Sequence, residues 1–217
     1  MTSLSIADAK LIATLRKELQ LSQEMLEEIR RIIKTINDDK FREEQKTRIN
    51  RIQKVKEETI SLQADYLGYL TKTSRALMHR EEWVRIGSRI LSVIDKLSGI
   101  SYRLGFLTEK NWLVPERVSA NLVRICDNVS AMTELLNQAM IKLLNEPAQT
   151  LEDLRKIAEL ENSTDALYRE TIFEVLEANI SSSTMLLLLS IAEMLEDSSD
   201  TIYDMVSNLY IVLLEIT

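Results

Sequence analysis

Glycine and proline are scarce in this chain, with 4 Gly and 2 Pro in 217 residues. Sandwiches and barrels need turn residues every 8–12 positions or so, and that supply is missing, which excludes an all-β architecture. Doubly wound folds need Gly-rich strand-to-helix turns, and none is present. One cysteine, Cys126, excludes an internal disulfide and a cysteine-based zinc site, as expected of a cytosolic protein. One histidine, His79, excludes zinc-hydrolase motifs and the paired Glu-x-x-His sites of ferritin-like bundles. His79 reads as a surface residue at a helix end. Aromatic residues make up 5%, so the core is expected to be Leu, Ile, Val and Met. A long apolar run is missing too. The most apolar stretch, Met185 to Ala192, is soon interrupted by Glu193, Glu196 and Asp197, far short of the roughly 20 residues of a membrane span. The N-terminus, MTSLSIADAK, has neither the basic region nor the apolar region of a secretory signal. These absences predict an all-α, cytoplasmic protein.

What is present is charge, unevenly placed. The net charge is −7, but residues 1–112 carry 21 Lys+Arg against 16 Asp+Glu, while residues 113–217 carry 6 against 18. The halves are therefore +5 and −12. After Arg169 nine carboxylates follow and no basic side chain. Self-repulsion of this kind needs an offset: the basic half alongside, solvent, or bound cations. An acidic net charge disfavours nucleic acid as a partner. The basic segment 40–56 is at most a peripheral contact for anionic lipid or an acidic partner. Asp38, Asp39, Glu43 and Glu44 within or beside it favour a solvated helix face.

Breakers and caps divide the chain into six helices, at about 5–37, 39–78, 81–109, 115–145, 151–179 and 183–216. Gly68 marks a possible irregularity in the second. Pro115 suits the first turn of the fourth, and Thr150 with Asp153 reads as a capping box for the fifth. Helices of some 30 residues are about 45 Å long, and short links make them antiparallel neighbours in an elongated bundle. Setting Tyr102 against Tyr203 aligns helices three and six at an offset of 101. An offset near 102 aligns helix two with helix five. The chain thus reads as two three-helix halves, 1–112 and 113–217, packed as one compact unit. The apolar tail Leu209 to Ile216 reads as core rather than a dimer contact.

Helix five has an apolar stripe through Leu154, Ile157, Thr164, Tyr168, Ile172 and Val175. Glu161 falls in the middle of that stripe and Asp165 one turn on. Burying ionised carboxylates demands a shifted pKa, a counter-charge or a cation. Lys156 and Arg169 are the nearest basic residues, and by angular count both point elsewhere. Helix six repeats the spacing with Glu196, Asp200 and Asp204; Glu196 lies at the edge of its apolar stripe and the other two further round. If the helices are antiparallel neighbours, Glu161, Asp165, Glu196 and Asp200 converge as a hard-oxygen site for a divalent or trivalent metal. The first half has Thr59 and Gln63 in place of Glu161 and Asp165, and Asp95, Gly99 and Arg103 in place of the Glu-Asp-Asp series. Any metal site is therefore asymmetric.

Two stretches, IAELENSTDALYRETIFEVLE (157–177) and LLLLSIAEMLEDSSDTIYDMV (186–206), resemble the paired helices of PhoU-like proteins. The likeness is greater to the branch of phosphate-transport regulators that accompany Pit-type phosphate permeases. The resemblance implies a six-helix protein of two halves, metal binding through Glu/Asp-x-x-x-Asp motifs (here Glu161 with Asp165 and Glu196 with Asp200), and a regulatory rather than enzymatic role. It also implies a phosphate permease or its regulatory partners as partner, with a homo-oligomer possible. The alternative is a helical oligomerisation or scaffold module without metal, which leaves Glu161 and Asp165 unexplained. A carboxylate metalloenzyme lacks histidine ligands and an evident nucleophile or base.

Overall fold

A computed structural model of the chain describes residues 4–73 and 77–216. Among the described residues there are six α-helices and no strand: α1 (Ile6–Thr35), α2 (Arg42–Lys72), α3 (Arg80–Lys110), α4 (Glu116–Asn145), α5 (Pro147–Glu177) and α6 (Ser182–Ile216). A single 3-10 turn, Asp39–Phe41, leads into α2. The all-α bundle expected from the composition is the observed architecture. Helices α1, α3, α4 and α6 form the centre, with α1 packed on α4 and α3 on α6. Helix α2 lies against α1 and α3, and α5 takes the corresponding place against α4 and α6.

The outer position of α2 and α5 follows from their side chains. Helix α2 buries a narrow stripe, Ile52, Val55, Thr59, Gln63, Tyr66 and Leu70. Helix α5 buries Leu154, Ile157, Thr164, Leu167, Thr171 and Val175. Stripes of this width, partly hydroxyl-bearing, cover one side of a core but cannot fill its middle. The central helices bury more: α1 alone contributes Leu11, Ile12, Leu15, Leu19, Met25, Leu26, Ile29, Ile32 and Ile33. In the tail, Leu209, Val212, Leu213 and Ile216 are buried, so one face of it is core, while Tyr210, Ile211 and Leu214 are exposed.

Local chemistry fixes the helix ends. Ser5 and Asp8 form a capping box at the start of α1, with Asp8 N–H donating to Ser5 Oγ (3.2 Å) and Ser5 N–H to Asp8 Oδ2 (2.9 Å). The other Asp8 oxygen accepts from Trp83 Nε1 (2.8 Å), which ties the start of α1 to the start of α3. Asn37 clamps Val114 in both directions, donating to its carbonyl (2.7 Å) and accepting from its N–H (2.9 Å). That clamp joins the α1–α2 turn to the link between the halves.

Five expectations change. Helix α5 starts at Pro147 rather than 151, because proline at the first helical position has no N–H to leave unpaired. Asp153 is accordingly not a cap: it is buried and paired with Lys142, whose Nζ lies 2.9 and 2.7 Å from its two oxygens. Pro115 stands one residue outside α4, at the cap position. Helix α2 passes through Gly68 without a break and ends at Lys72; residues 74–76, within the second helix as first read, lie outside the described residues. His79 is at a helix end but is 3% exposed, with Nδ1 3.1 Å from Glu215 Oε2, since the end of α6 folds over it.

Candidate metal centre

Helices α5 and α6 are adjacent and joined by a short turn, so their carboxylates meet from opposite directions. Glu161 and Asp165 from α5 and Asp200 from α6 each offer an oxygen within 4.8 Å of the other two. Glu196 lies one turn before Asp200 on the same helix. Its carboxyl is pushed up to about 7, first by burial and then by Asp200 and Asp165, so it borders the same cluster. Burial raises Glu161 as well, with Asp165 and Asp200 adding to it and Arg169 opposing. Asp200 is raised by burial and then by Asp165, Asp197 and Asp204, with Lys96 opposing. Each of these three groups is thus disfavoured in its charged form, and the neighbouring carboxylates contribute in every case.

The burial is less than the periodicity implied. Glu161 and Asp165 are half-buried and Asp200 is exposed, while the buried stripe of α5 runs beside them through Thr164 and Leu167. The seam is therefore open to solvent. A second correction concerns charge. Arg169 is not remote: its Nη2 lies 3.3 Å from Asp165 Oδ2, one turn along α5. Angular counting follows the Cα–Cβ direction, whereas the long guanidinium arm bends back along the helix to reach the i−4 side chain.

Asp204, third in the series, is drawn away. Arg89 of α3 lies 3.3 Å from Asp204 Oδ2 and also hydrogen-bonds Asn208. Two further cations follow at seven-residue intervals on α3. Lys96 donates to the Asp197 carbonyl (2.9 Å) and to Thr201 Oγ1 (2.7 Å), and Arg103 donates to Ser190 Oγ (2.8 Å). The basic first half thus offsets part of the acidic excess of α6, as one of the three expected routes. Arg169 provides the ion pair seen at the Glu161–Asp165–Asp200 group.

The first half holds no counterpart among the described residues. Thr59 and Gln63 are buried, and Thr59 donates to the Val55 carbonyl. Asp95 pairs with Lys56 (2.9 Å), and a side chain at Gly99 would collide with Met194. A groove of about 590 Å³ lies between α2 and α3 and is lined by Arg42, Lys46, Ile49, Tyr102 and Phe106, away from the carboxylates. Its cations are paired, Arg42 with Asp39 and Lys46 with Glu43, as expected of a solvated face. Sequence reasoning missed Glu18 of α1, which is fully buried. The signal was available: Glu18 sits in the apolar stripe between Leu15 and Ser22.

No family profile matches the sequence, and no curated protein is significantly similar to it. Solved structures are similar. A PhoU-like protein from Shewanella oneidensis MR-1 superimposes with a TM-score of 0.76 at 13% identity, over 94% of this chain and 100% of that one. PhoU from Pseudomonas aeruginosa gives 0.76 at 13% identity, over 96% and 97%. The phosphate transport system regulatory protein PhoU from Streptococcus pneumoniae gives 0.57 at 16% identity, over 95% and 96%. The chain has the PhoU-like fold. In this PhoU-like bundle three carboxylate oxygens with a fourth carboxyl alongside form a cluster of hard oxygen atoms, of the type that hard cations prefer, and the Arg169 guanidinium competes for one of them, Asp165. Among the described residues no helix is long and apolar enough to cross a membrane.

Proposed function

We propose that this protein is a cytoplasmic regulator of inorganic phosphate transport, docking on a phosphate permease or its regulatory partners. In this reading Glu161, Asp165, Glu196 and Asp200 bind a divalent or trivalent cation that orders the α5–α6 seam. The observation that carries the reading is the likeness of fold over nearly the whole length of both chains to proteins that include a phosphate transport system regulatory protein. The sequence resemblance favours the branch that accompanies Pit-type permeases. The carboxylate seam adds support, because a scaffold module would gain nothing from like charges held within 4.8 Å of one another. The protein's own residues supply binding and no chemistry. In this reading the cation serves as an electrostatic clamp between two helices.

The test is made in the source cell. Deleting the gene is expected to change the rate of phosphate uptake, and the tagged protein is expected to co-purify with a phosphate permease or a regulator of one. Unchanged uptake at both low and high phosphate, with no such partner recovered, would remove the transport reading.

A further inference from the structure

Glu18 is a fully buried carboxyl in the first half, and the metal reading does not use it. Among the described residues no cation contributes to its electrostatics. From α2 it meets Gln63, one arm of whose amide lies 2.9 Å from Oε1 and 3.2 Å from Oε2. Thr59 is also buried, but its hydroxyl is committed to the Val55 carbonyl. Tyr66 is near enough to feel the Glu18 charge, yet its hydroxyl donates to the Trp83 carbonyl of α3 (2.6 Å).

The charged groups on neighbouring elements are occupied elsewhere. On α1, Lys17 pairs with Glu58 of α2 (3.2 Å), and Asp8 accepts from Trp83 of α3. On α4, Glu134 accepts from Gln23, and Asn137 accepts from Arg16. On α3, Arg89 is directed to Asp204 and Asn208 of α6.

A buried carboxyl with only a neutral amide as partner is held in its neutral form, because ionising it would leave a charge in an apolar wall. The Gln63 amide suits both states. A neutral carboxyl donates its O–H to the amide oxygen, and an ionised one accepts from the amide NH₂ once the amide turns over.

We infer that Glu18 is a buried proton-binding site through which pH governs the docking of α1 on α2. Gln63 occupies the first-half position that corresponds to Asp165 by the 102-residue offset, so the two halves hold different ions at related places. The first half holds a proton where the second half presents carboxylates to solvent. Burial pushes Glu18 up to about 8, in agreement with the geometry.

The direction of the effect is set by which state keeps the proton. In the unfolded chain Glu18 ionises near the ordinary carboxyl value, whereas in the folded protein it keeps its proton until about pH 8. Stability from this group is therefore complete at acid pH, declines as pH rises, and is gone above the folded value.

Two measurements on the full chain test this. Infrared spectra of the wild type near pH 7 are expected to show a neutral-carboxyl C=O band that persists in D₂O and is missing in Glu18→Gln. The wild-type folding constant, relative to that variant, is expected to fall about tenfold per pH unit between pH 5 and 8, as one retained proton requires. Absence of the band, or parallel pH profiles for the two proteins, would overturn the inference. If Glu18→Gln does not fold, the wild-type band followed from pH 6 to pH 10 decides the question alone. Loss of the band centred near pH 8 supports it, and a band already absent at pH 6 overturns it.

Discussion

Gly87 and Gly68 show how two identical residues inside helices differ once the partner helix is in place. A Cβ on Gly87 would lie 2.5 Å from Cε1 of Tyr66, a buried ring whose hydroxyl is fixed on the Trp83 carbonyl. A Cβ on Gly68 meets nothing within 4 Å. Gly87→Ala is therefore expected to destabilise by about 1–3 kcal/mol through overpacking. Gly68→Ala is expected to stabilise by about 1 kcal/mol through helix propensity. Urea midpoints of the two variants check both signs. Legibility at this scale was uneven for the same reason. Glu161 and Asp165 could be found because i,i+4 carboxylates share a helical face whatever the tertiary packing. Arg169 was misplaced because its contact depends on how a flexible arm bends. Glu18 could have been found from its own stripe, but Gln63 as its partner required the α1–α2 register, which no local pattern contains.

At the scale of the helices, the α4–α5 corner illustrates why boundaries read from caps can be displaced. Thr150 and Asp153 have the spacing of a cap, but Pro147 starts α5 earlier and leaves Asp153 free to pair with Lys142 across the corner. Removing the cation strands a buried carboxylate. Lys142→Met is expected to cost about 3 kcal/mol, at the low end for a broken buried pair because Lys142 is itself partly exposed. Asp153→Asn made together with Lys142→Met is expected to recover part of that loss, since no charge is then left behind; thermal denaturation of the three proteins measures it. The element count and type were readable throughout, because each apolar stripe runs for about five turns or more. The outer placement of α2 and α5 was less so, since a narrow stripe fits either a flank or a coiled-coil seam.

For the whole molecule, the charge division of the sequence has a spatial meaning. The cations at Arg89, Lys96 and Arg103 run along α3 against α6, so the basic half shields one side of the acidic half. Arg89 draws Asp204 out of the carboxylate series, Lys96 reaches Asp200 only through its field, and Glu161 and Asp165 are left with Arg169 beside them. Composition could announce the imbalance, and spacing could name the carboxylates, but only the packing of α3 on α6 sorts which acids are neutralised. The central claim is that the remaining seam takes a cation. It is tested most directly by titrating metal-free wild type and Glu161→Gln/Asp165→Asn with Mg²⁺, Mn²⁺ and Fe³⁺ while following the melting temperature and bound metal. Saturable binding and a raised melting temperature are expected in the wild type, both lost in the double variant. The double variant is expected to be at least as stable as metal-free wild type, because the mutual repulsion is gone. No bound metal in the wild type, or equal binding by the two proteins, would contradict it.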